Sequence, residues 1–335
     1  MLKRFITLAV LLILLAGGAA YGLYWDVTQF SQRPMTLGDD RSLTVERGQA
    51  LRGVAQTVSD AGWIDRPPEY LIGLARLGQQ AHRIHAGEYQ IPPGTTPQAL
   101  LTLLVEGQVV QHTLTIVEGW SFAELLIAVH ASPVLEQTLG DLTPAEIMSA
   151  LGRPDEHPEG RFFPDTYHFP RGMSDLDFLA RAYATMERVL EQEWAGRAQD
   201  IPLETPYQAL ILASIIEKET GAAFERPEIA GVFTRRLQKG MRLQTDPTVI
   251  YGIGPSFDGN IRRSDLRRDT PYNTYTRGGL PPTPIALPGR EAIHAALHPA
   301  PGKSLYFVSR GDGTHQFSDT LKAHNQAVRT HQLKQ

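Results

Sequence analysis

The chain has 335 residues, of which 42% are hydrophobic, a formal charge of −4 and no cysteine. This length and apolar content allow a buried core and indicate two or three domains at roughly 100 to 200 residues each, so a disordered chain is excluded. Without cysteine the chain has no disulfide framework, no thiolate metal site and no cysteine nucleophile.

The charges are unevenly distributed along the chain. Residues 221–335 carry 16 Lys and Arg against 9 Asp and Glu, whereas residues 26–220 carry 14 against 27. A basic C-terminal part attracts polyanions in general, which include nucleic acid, anionic lipid and the carboxylate-bearing groups of cell wall. Charge alone does not choose between them.

The N-terminus predicts a membrane segment. Lys3 and Arg4 precede an uncharged run over residues 5–25, FITLAVLLILLAGGAAYGLYW, which is long enough to cross a hydrocarbon core of roughly 30 Å as a helix. The two basic residues predict that residues 1–4 lie in the cytoplasm and that the body lies on the periplasmic side of the inner membrane.

A cleaved signal peptide is the alternative, because AGGAA at residues 16–20 offers small side chains to a peptidase. The apolar run continues to Trp25 through further aromatic residues, which suit a membrane interface and favour an anchor. Under both interpretations the body of the protein is exported, which argues against nucleic acid as a partner.

Behind the membrane segment, residues 26–41 are polar with one proline and predict a linker. Residues 42–107 predict strand, helix, helix and strand, then a Pro-Gly turn and a helix beginning near Thr96 with Pro97 at its first position. This order, with GEYQIPPGTT within it, resembles the LysM-like glycan-binding fold. A small α+β spacer without glycan affinity is the alternative.

The rest of the chain predicts a mixed body, so the expected fold class is α+β. Residues 108–205 contain a strand, a helix capped by Ser121 with Glu124 in capping-box register, and a long periodic helix. Residues 206–335 form the expected catalytic domain.

The stretch LASIIEKETG at residues 212–221 ends an apolar helix with two carboxylates. Thr205 is a good N-cap and Pro206 suits the first turn, so the helix is predicted from Pro206 to Thr220, ending at Gly221.

At about 100° per residue, Glu219 falls in the middle of the apolar arc formed by residues 211, 212, 215 and 216, whereas Glu217 faces another, wetter side beside Leu210. Burial raises the pKa of a carboxyl group, so Glu219 is the better proton donor near neutral pH. The alternatives are that Glu219 frays from the helix end or pairs with Arg226 or Arg242. Glu217 is expected to be a salt-bridge partner, or to tune Glu219 indirectly.

Longer motifs follow, GMRLQTDPTVIYG at 240–252 and TPYNTYTRGGLPPTPIALPG at 270–289. Together with ASIIEKET, EGRFFPDTY and the membrane segment, they closely resemble the YceG-like family over nearly the whole exported chain. Gly221, where some members carry Ala, is a minor departure.

The resemblance implies a membrane-anchored lyase, a lytic transglycosylase of peptidoglycan. It would cleave the MurNAc-GlcNAc β-1,4 bond in nascent glycan strands, leave 1,6-anhydro-MurNAc ends and terminate glycan elongation. The resemblance also implies that Glu219, the second Glu of Glu-Lys-Glu-Thr, is catalytic and that a membrane peptidoglycan synthase is a reasonable partner. One carboxyl group suffices for this reaction, whereas a hydrolytic glycosidase normally needs two.

Further candidates could line a saccharide cleft, since amides and carboxylates bind sugar hydroxyls and aromatic rings stack on pyranose rings: Gln244, Asp246, Tyr251, Tyr272, Asn273 and Tyr275. A turn role for Asp246 in the sequence TDP and core packing for the tyrosines are the alternatives.

Asp165 in FFPDTY could be a second acid, although a turn role is favoured. The histidines show no metal-ligand spacing, and His294, His298 and His315 are scattered, so neither a metal nor a cofactor is predicted. A non-catalytic peptidoglycan-binding scaffold and a hydrolytic muramidase are the alternative functions.

Overall fold

The structure, a computed structural model, describes residues 2–39 and 41–332. Met1, Asp40 and residues 333–335 belong to the predicted segments 1–4, 26–41 and 206–335 and lie outside the described residues. The chain divides into two units, Met1–His112 with His168–Met173, and Thr113–Tyr167 with Ser174–Gln335. Helices and two-stranded sheets both occur along it, which confirms the α+β class.

The first unit has the predicted order of strand, helix, helix, strand and helix behind its N-terminal helix. Its elements are α1 (Leu2–Gln32), β1 (Ser42–Val45), α2 (Leu51–Asp60), α3 (Pro68–Leu77), β2 (Gly87–Gln90) and α4 (Pro97–Glu106). β1 and β2 pair antiparallel from Ser42 with Gln90 to Val45 with Gly87. A second strand pair is formed by β3 (Gln111–Thr115) and β4 (Thr166–Pro170).

Helix α1 continues beyond the apolar run. Phe30 and Met35 lie in the hydrophobic core of the first unit, 4% and 7% exposed, and Asp26 forms an ion pair with Arg66 at 2.9 Å. The prediction of a linker over 26–41 is therefore corrected for its described residues. The composition of this segment is mainly polar, but it contains single apolar residues that pack into the core of the first unit.

The N-terminal part of α1 remains apolar and exposed. Residues Val10–Gln32 are long and apolar enough to cross a membrane by length and composition, and the side chains from Val10 to Leu15 are all exposed. The helix is thus compatible with a membrane anchor.

The second unit contains the remaining elements. They are α5 (Phe122–His130), α6 (Pro144–Ala150), α7 (Asp175–Ala195), α8 (Pro206–Glu219), α9 (Arg226–Gln238), α10 (Asp246–Ile253), α11 (Arg263–Arg267), α12 (Arg290–Leu297), β5 (Tyr306–Ser309), β6 (His315–Ser318) and α13 (Leu321–His331). β5 and β6 pair antiparallel from Tyr306 with Ser318 to Ser309 with His315.

Helix α8 lies in the core of this unit. The Gln208 N–H donates to the hydroxyl of Thr205 at 3.2 Å, as an N-cap requires, and the helix begins at Pro206 as predicted and ends at Glu219. All residues from 209 to 216 are buried, and α7, α9, α10 and α12 pack around the helix. Since the apolar surface covers the whole circumference, α8 has no wet face in this stretch.

The close approach of Gly160 to Pro284 gives a test of this packing. Gly160 has φ +79°, and a Cβ there would lie 2.5 Å from Pro284 Cβ, whereas Gly152 has φ +76° and a Cβ there would meet nothing within 4 Å. We expect Gly152→Ala to lower the free energy of unfolding by about 1 kcal/mol for the left-handed backbone alone. Gly160→Ala should lower it by roughly a further 1 to 3 kcal/mol through overpacking.

Chemical denaturation of both variants measures the difference. Equal losses would contradict the close approach of residues 160 and 284.

Candidate active site

The C-terminal end of α8 opens into a cavity of about 490 Å³ in the second unit. This volume is within the range of small-ligand sites. Side chains from α8, α9, the segment before α10, β5, β6 and α13 form its wall. The polar residues that line the cavity include Glu219, Arg236, Gln244, Asp246, Tyr275 and His315.

Glu219 is partly exposed at this wall and is held by one hydrogen bond. The hydroxyl of the buried Thr245 donates to Glu219 Oε1. Thr245 occupies the N-cap position of α10, but its hydroxyl does not cap that helix. Its own N–H donates to Thr274 Oγ1 at 3.0 Å, so the threonine is positioned by its backbone and its hydroxyl is available for Glu219.

The residue before Thr245 has an unusual backbone conformation. Gln244 has φ +52°, which is uncommon outside glycine and costs free energy unless its surroundings impose it. Its N–H donates to the Thr274 carbonyl oxygen at 3.2 Å. The turn therefore leaves Gln244 exposed on the cavity wall and buries Thr245 beside Glu219.

The carboxyl group of Glu219 has a pKa suited to proton transfer at neutral pH. Burial raises the pKa to about 7, and the negative charge of Asp246 acts in the same direction. The Thr245 hydrogen bond and the nearby His315 and Arg236 oppose this rise. Desolvation is the largest of these effects, so Glu219 holds a proton more readily than an ordinary glutamate.

Glu217 differs from the sequence-based expectation of a wetter face. Its side chain is 6% exposed and forms an ion pair with Arg226 at 3.1 Å, and it accepts the Gly289 N–H at 2.9 Å. Burial raises its pKa as well. The helical-wheel argument was wrong on this point because α8 is enclosed on every side, and the Arg226 pairing expected as an alternative for Glu219 belongs to Glu217.

The structure brings three of the predicted cleft residues to Glu219. Gln244, Asp246 and Tyr275 line the same cavity. The Tyr275 hydroxyl donates to Asp246 Oδ1 at 2.6 Å. This hydrogen bond holds the tyrosine beside the exposed carboxylate at the first residue of α10. An amide, a carboxylate and an aromatic ring thus lie beside the protonatable acid.

The other three predicted residues are not among those lining this cavity. The rings of Tyr251 and Tyr272 pack edge to face with centroids 4.8 Å apart. Their hydroxyls bond to Glu159 Oε2 at 3.0 Å and to Thr283 Oγ1 at 2.9 Å. Asn273 is buried, and its amide donates to three backbone carbonyl oxygens at the C-terminal end of α11. The side chains of these three residues are thus held by contacts outside the cavity lining.

Asp165 lies in a turn. Its exposed carboxylate accepts the N–H of the next residue, Thr166, at 2.7 Å, as in turns in which Asp bonds to nearby backbone. Asp165 is not among the cavity residues.

Sequence reasoning missed several residues of the site. Thr245 lies in the quoted motif GMRLQTDPTVIYG, but the sequence analysis gave it no role, and its N-cap position on α10 is a finding of the structure. Arg236 is buried, and its guanidinium donates to the carbonyl oxygens of Leu243 and Leu305 at 2.7 Å each. The residues next to His315 in the sequence gave no indication of a site, because its hydrogen-bond partner Glu225 is distant in the chain.

Glu159 is a further buried carboxyl group, which sequence reasoning did not single out. It accepts the Phe122 N–H and the Tyr251 hydroxyl, each at 3.0 Å, and burial raises its pKa to about 7. Within the described ranges, no group of three or more His, Asp or Glu side chains could hold a metal ion.

The fold and the cavity define a mixed α+β protein with a protonatable carboxyl group at the wall of a cavity of about 490 Å³. The model of the YceG-like family matches residues 43–330, and the chain belongs to this family.

Relatives and a solved structure agree with the family assignment. An endolytic murein transglycosylase of Bacillus subtilis is 32% identical over 264 residues, which are 74% of this chain and 73% of that protein. An endolytic murein transglycosylase of Streptococcus pneumoniae is 25% identical, covering 97% of this chain and 64% of the pneumococcal protein. The crystal structure of a YceG-like protein from Listeria monocytogenes superposes with a TM-score of 0.54 and 28% identity, covering 85% of this chain and 98% of that one.

The raised pKa of Glu219 predicts how stability depends on pH. Because the pKa is about 7 in the folded chain against an ordinary 4.5, the folded state keeps a proton that the unfolded state releases between these values. The resulting stability is fully present below about 4.5 and is lost as pH rises through about 7. From about pH 4 to about pH 8, wild type should lose roughly 1 to 3 kcal/mol of unfolding free energy relative to Glu219→Gln.

Denaturation curves at several pH values test this, with the exposed Glu191→Gln on α7 as the control for the amide change itself. A difference between wild type and Glu219→Gln that stays constant with pH would contradict the burial of this carboxyl group.

Proposed function

We propose that the chain is an endolytic lytic transglycosylase of murein that cleaves the MurNAc-GlcNAc β-1,4 bond of nascent glycan strands and leaves 1,6-anhydro-MurNAc ends. Such cleavage would terminate glycan elongation. The names of the relatives from Bacillus and Streptococcus support this class of enzyme, a lyase. The observation that supports this chemistry is the position of Glu219 at the wall of a cavity large enough for sugar rings, together with its pKa of about 7.

In this mechanism Glu219 is the general acid. Its proton is transferred to the oxygen that links C1 of the muramyl residue to the next sugar, and the C1–O bond breaks. A carboxyl group with a pKa near neutral is protonated in a large fraction of molecules and still transfers its proton readily.

The second half of the reaction closes the anhydro ring. The C6 hydroxyl of the same muramyl residue attacks C1 and loses its proton to a base, a role that the Glu219 carboxylate can fill in the simplest scheme. Because the nucleophile belongs to the substrate, the protein does not have to position a water, and proximity lowers the barrier.

We assign sugar contacts to Gln244, Asp246 and Tyr275, which share the cavity with Glu219. The amide and carboxylate suit hydroxyl and N-acetyl groups, and the tyrosine ring suits a pyranose face. Asn273, which accepts the Tyr275 N–H at 2.9 Å, would support these residues, and Tyr251 and Tyr272 would act at a greater distance from the cavity.

A hydrolytic muramidase is the second candidate, and Asp246 is the observation that favours it. Asp246 is another carboxylate in the same cavity as Glu219, and a hydrolase needs a second carboxylate as nucleophile or base. A scaffold that binds glycan without cleaving it is a third candidate, supported by the first unit.

We further propose that residues 42–107 form a LysM-like glycan-binding module, that residues 108–205 are an intermediate part of the body and that residues 206–335 are the catalytic domain. The antiparallel pairing of β1 with β2 around two helices supports the module. A peptidoglycan synthase in the same membrane would be the source of the nascent strands.

For the location, we propose a single-pass inner-membrane protein with a cytoplasmic N-terminus and its body on the periplasmic side. The exposed apolar part of α1 and the basic residues before it support this orientation.

The reaction can be tested on the full chain in lipid vesicles supplied with uncrosslinked glycan strands. We expect mass spectrometry to find 1,6-anhydro-muramyl ends, and Glu219→Gln to lower their rate of formation by roughly 100-fold or more because the proton donor is lost. Glu191→Gln, an exposed glutamate outside the cavity, is the matched control and should keep wild-type activity.

The same assay in ¹⁸O-labelled water separates the candidates. Reducing ends that carry ¹⁸O would identify a hydrolase, whereas strand binding without any cleavage would identify a scaffold. Either result would reject the transglycosylase.

Anchoring by α1 can be tested with two charges in the exposed apolar part, Leu12→Arg with Leu15→Arg. Each charge near the centre of a spanning helix costs about 2.5 to 3.5 kcal/mol, so the double variant should move from the membrane fraction to the soluble fraction of disrupted cells. Gln29→Arg, on an exposed position beyond the apolar run, should leave the chain in the membrane fraction. A wild-type chain that is itself soluble would contradict the anchor.

A further inference from the structure

A histidine and a glutamate form a nearly buried pair at the edge of the cavity. Glu225 ends the 3₁₀ turn Ala223–Glu225 between α8 and α9, and His315 is the first residue of β6. Glu225 Oε1 accepts the backbone N–H of His315 at 2.9 Å, and Oε2 lies 2.7 Å from His315 Nδ1. The two side chains are 6% and 12% exposed.

These contacts determine which ring nitrogen of His315 carries hydrogen. A carboxylate only accepts hydrogen bonds, so Nδ1 is the donor, and in the neutral ring Nε2 is left with a free lone pair. The rings of Phe307 and Phe317 flank the imidazole, with centroids at 5.3 and 6.4 Å. Both the orientation and the tautomer of His315 are therefore set by its neighbours.

His315 lines the cavity that also contains Glu219. Glu219 Oε1 is occupied by the Thr245 hydroxyl, and its Oε2 has no hydrogen-bond partner in the part of the chain that the structure describes. In a scheme with one residue, this single free oxygen would have to reach both the leaving oxygen and the C6 hydroxyl of the substrate. A separate base removes this conflict.

We propose that His315 is a second catalytic residue, the base that takes the proton of the C6 hydroxyl, and that Glu225 is its positioning residue. This inference rests on the proposed transglycosylase function and replaces the second role of Glu219 in the simplest scheme. The arrangement is that of a histidine base held by a carboxylate, as in hydrolytic triads.

The step balances in atoms and charges. Glu219 gives its proton to the leaving oxygen as the C1–O bond breaks, and the C6 oxygen forms its bond to C1 while its proton passes to His315 Nε2. The products at the enzyme are the Glu219 carboxylate and the His315 imidazolium, which Glu225 stabilises. Transfer of the proton from His315 to Glu219 restores the starting state without another reactant.

Two other cavity residues are less suited to this role. The Asp246 carboxylate already accepts the Tyr275 hydroxyl at 2.6 Å. His324 stacks on Tyr306 with centroids 5.3 Å apart, and its buried Nδ1 has no hydrogen-bond partner in the described part of the chain, so no carboxylate sets its tautomer. His315 combines the cavity position with a carboxylate partner.

The test uses the full chain in vesicles with uncrosslinked glycan strands and measures kcat and KM for anhydro-end formation. We expect His315→Gln to lower kcat roughly 100-fold or more, with KM changed less than about threefold, because a general base acts in the transition state. Glu225→Gln keeps a hydrogen-bond acceptor but removes the charge, and should lower kcat at least about tenfold.

The chain offers a matched control pair outside the cavity. His294 Nδ1 lies 2.9 Å from Glu193 Oε2, and His294→Gln should keep wild-type kcat. Thermal unfolding of each variant separates lost folding from lost chemistry. Rescue gives an independent readout, since free imidazole should restore part of the rate of His315→Ala and none of the rate of Glu219→Gln.

The outcomes distinguish this inference from the proposed function. Wild type that forms no anhydro ends rejects the function itself. Anhydro ends formed at wild-type kcat by a folded His315→Gln variant overturn only the role of His315. A raised KM with unchanged kcat, or a loss of kcat confined to Asp246→Asn, would also overturn it.

Discussion

A carboxyl group at the end of a helix buried on every side has to obtain a counter-charge, hydrogen-bond donors or a proton. Helix α8 has two such groups and satisfies them differently. Glu217 obtains Arg226 and a backbone N–H, whereas Glu219 obtains one hydroxyl, from Thr245, and keeps a proton up to a pH of about 7. Two carboxyl groups only two positions apart on one helix are thus stabilised in different ways.

The remainder of the site is built around the same acid. The left-handed Gln244 and the buried Thr245 bring one segment to Glu219. The buried guanidinium of Arg236 holds the carbonyl oxygens of that segment and of the residue before β5. One part of the cavity wall is thus held in place by hydrogen bonds to the backbone.

The first unit shows how one helix can serve two environments. The exposed apolar part of α1 suits a membrane, and the same helix continues until Phe30 enters the core of the first unit. Asp26 pairs with Arg66 at the point where the apolar run has ended. The helix is therefore continuous from the apolar run into the first part of the stretch predicted as a linker, as far as Gln32.

Local signals were enough for much of the fold. Thr205 and Pro206 predicted the start of α8, and Ser121 with Glu124 predicted a capping box that the structure contains. Such signals work because a helix end is satisfied by residues three or four positions away. The strand and helix order of the first unit followed from equally short patterns.

The sequence by itself determined the helix that carries Glu219, the family motifs and the apolar N-terminal segment. Only the tertiary structure showed that this helix has no solvated face in its buried stretch. The helical-wheel argument had assumed one solvated side. The tertiary structure also decided the partners of the acid and of His315, which lie 26 and 90 positions away along the chain. Hydrogen bonds between such distant residues depend on how the core packs, and no short-range pattern encodes them.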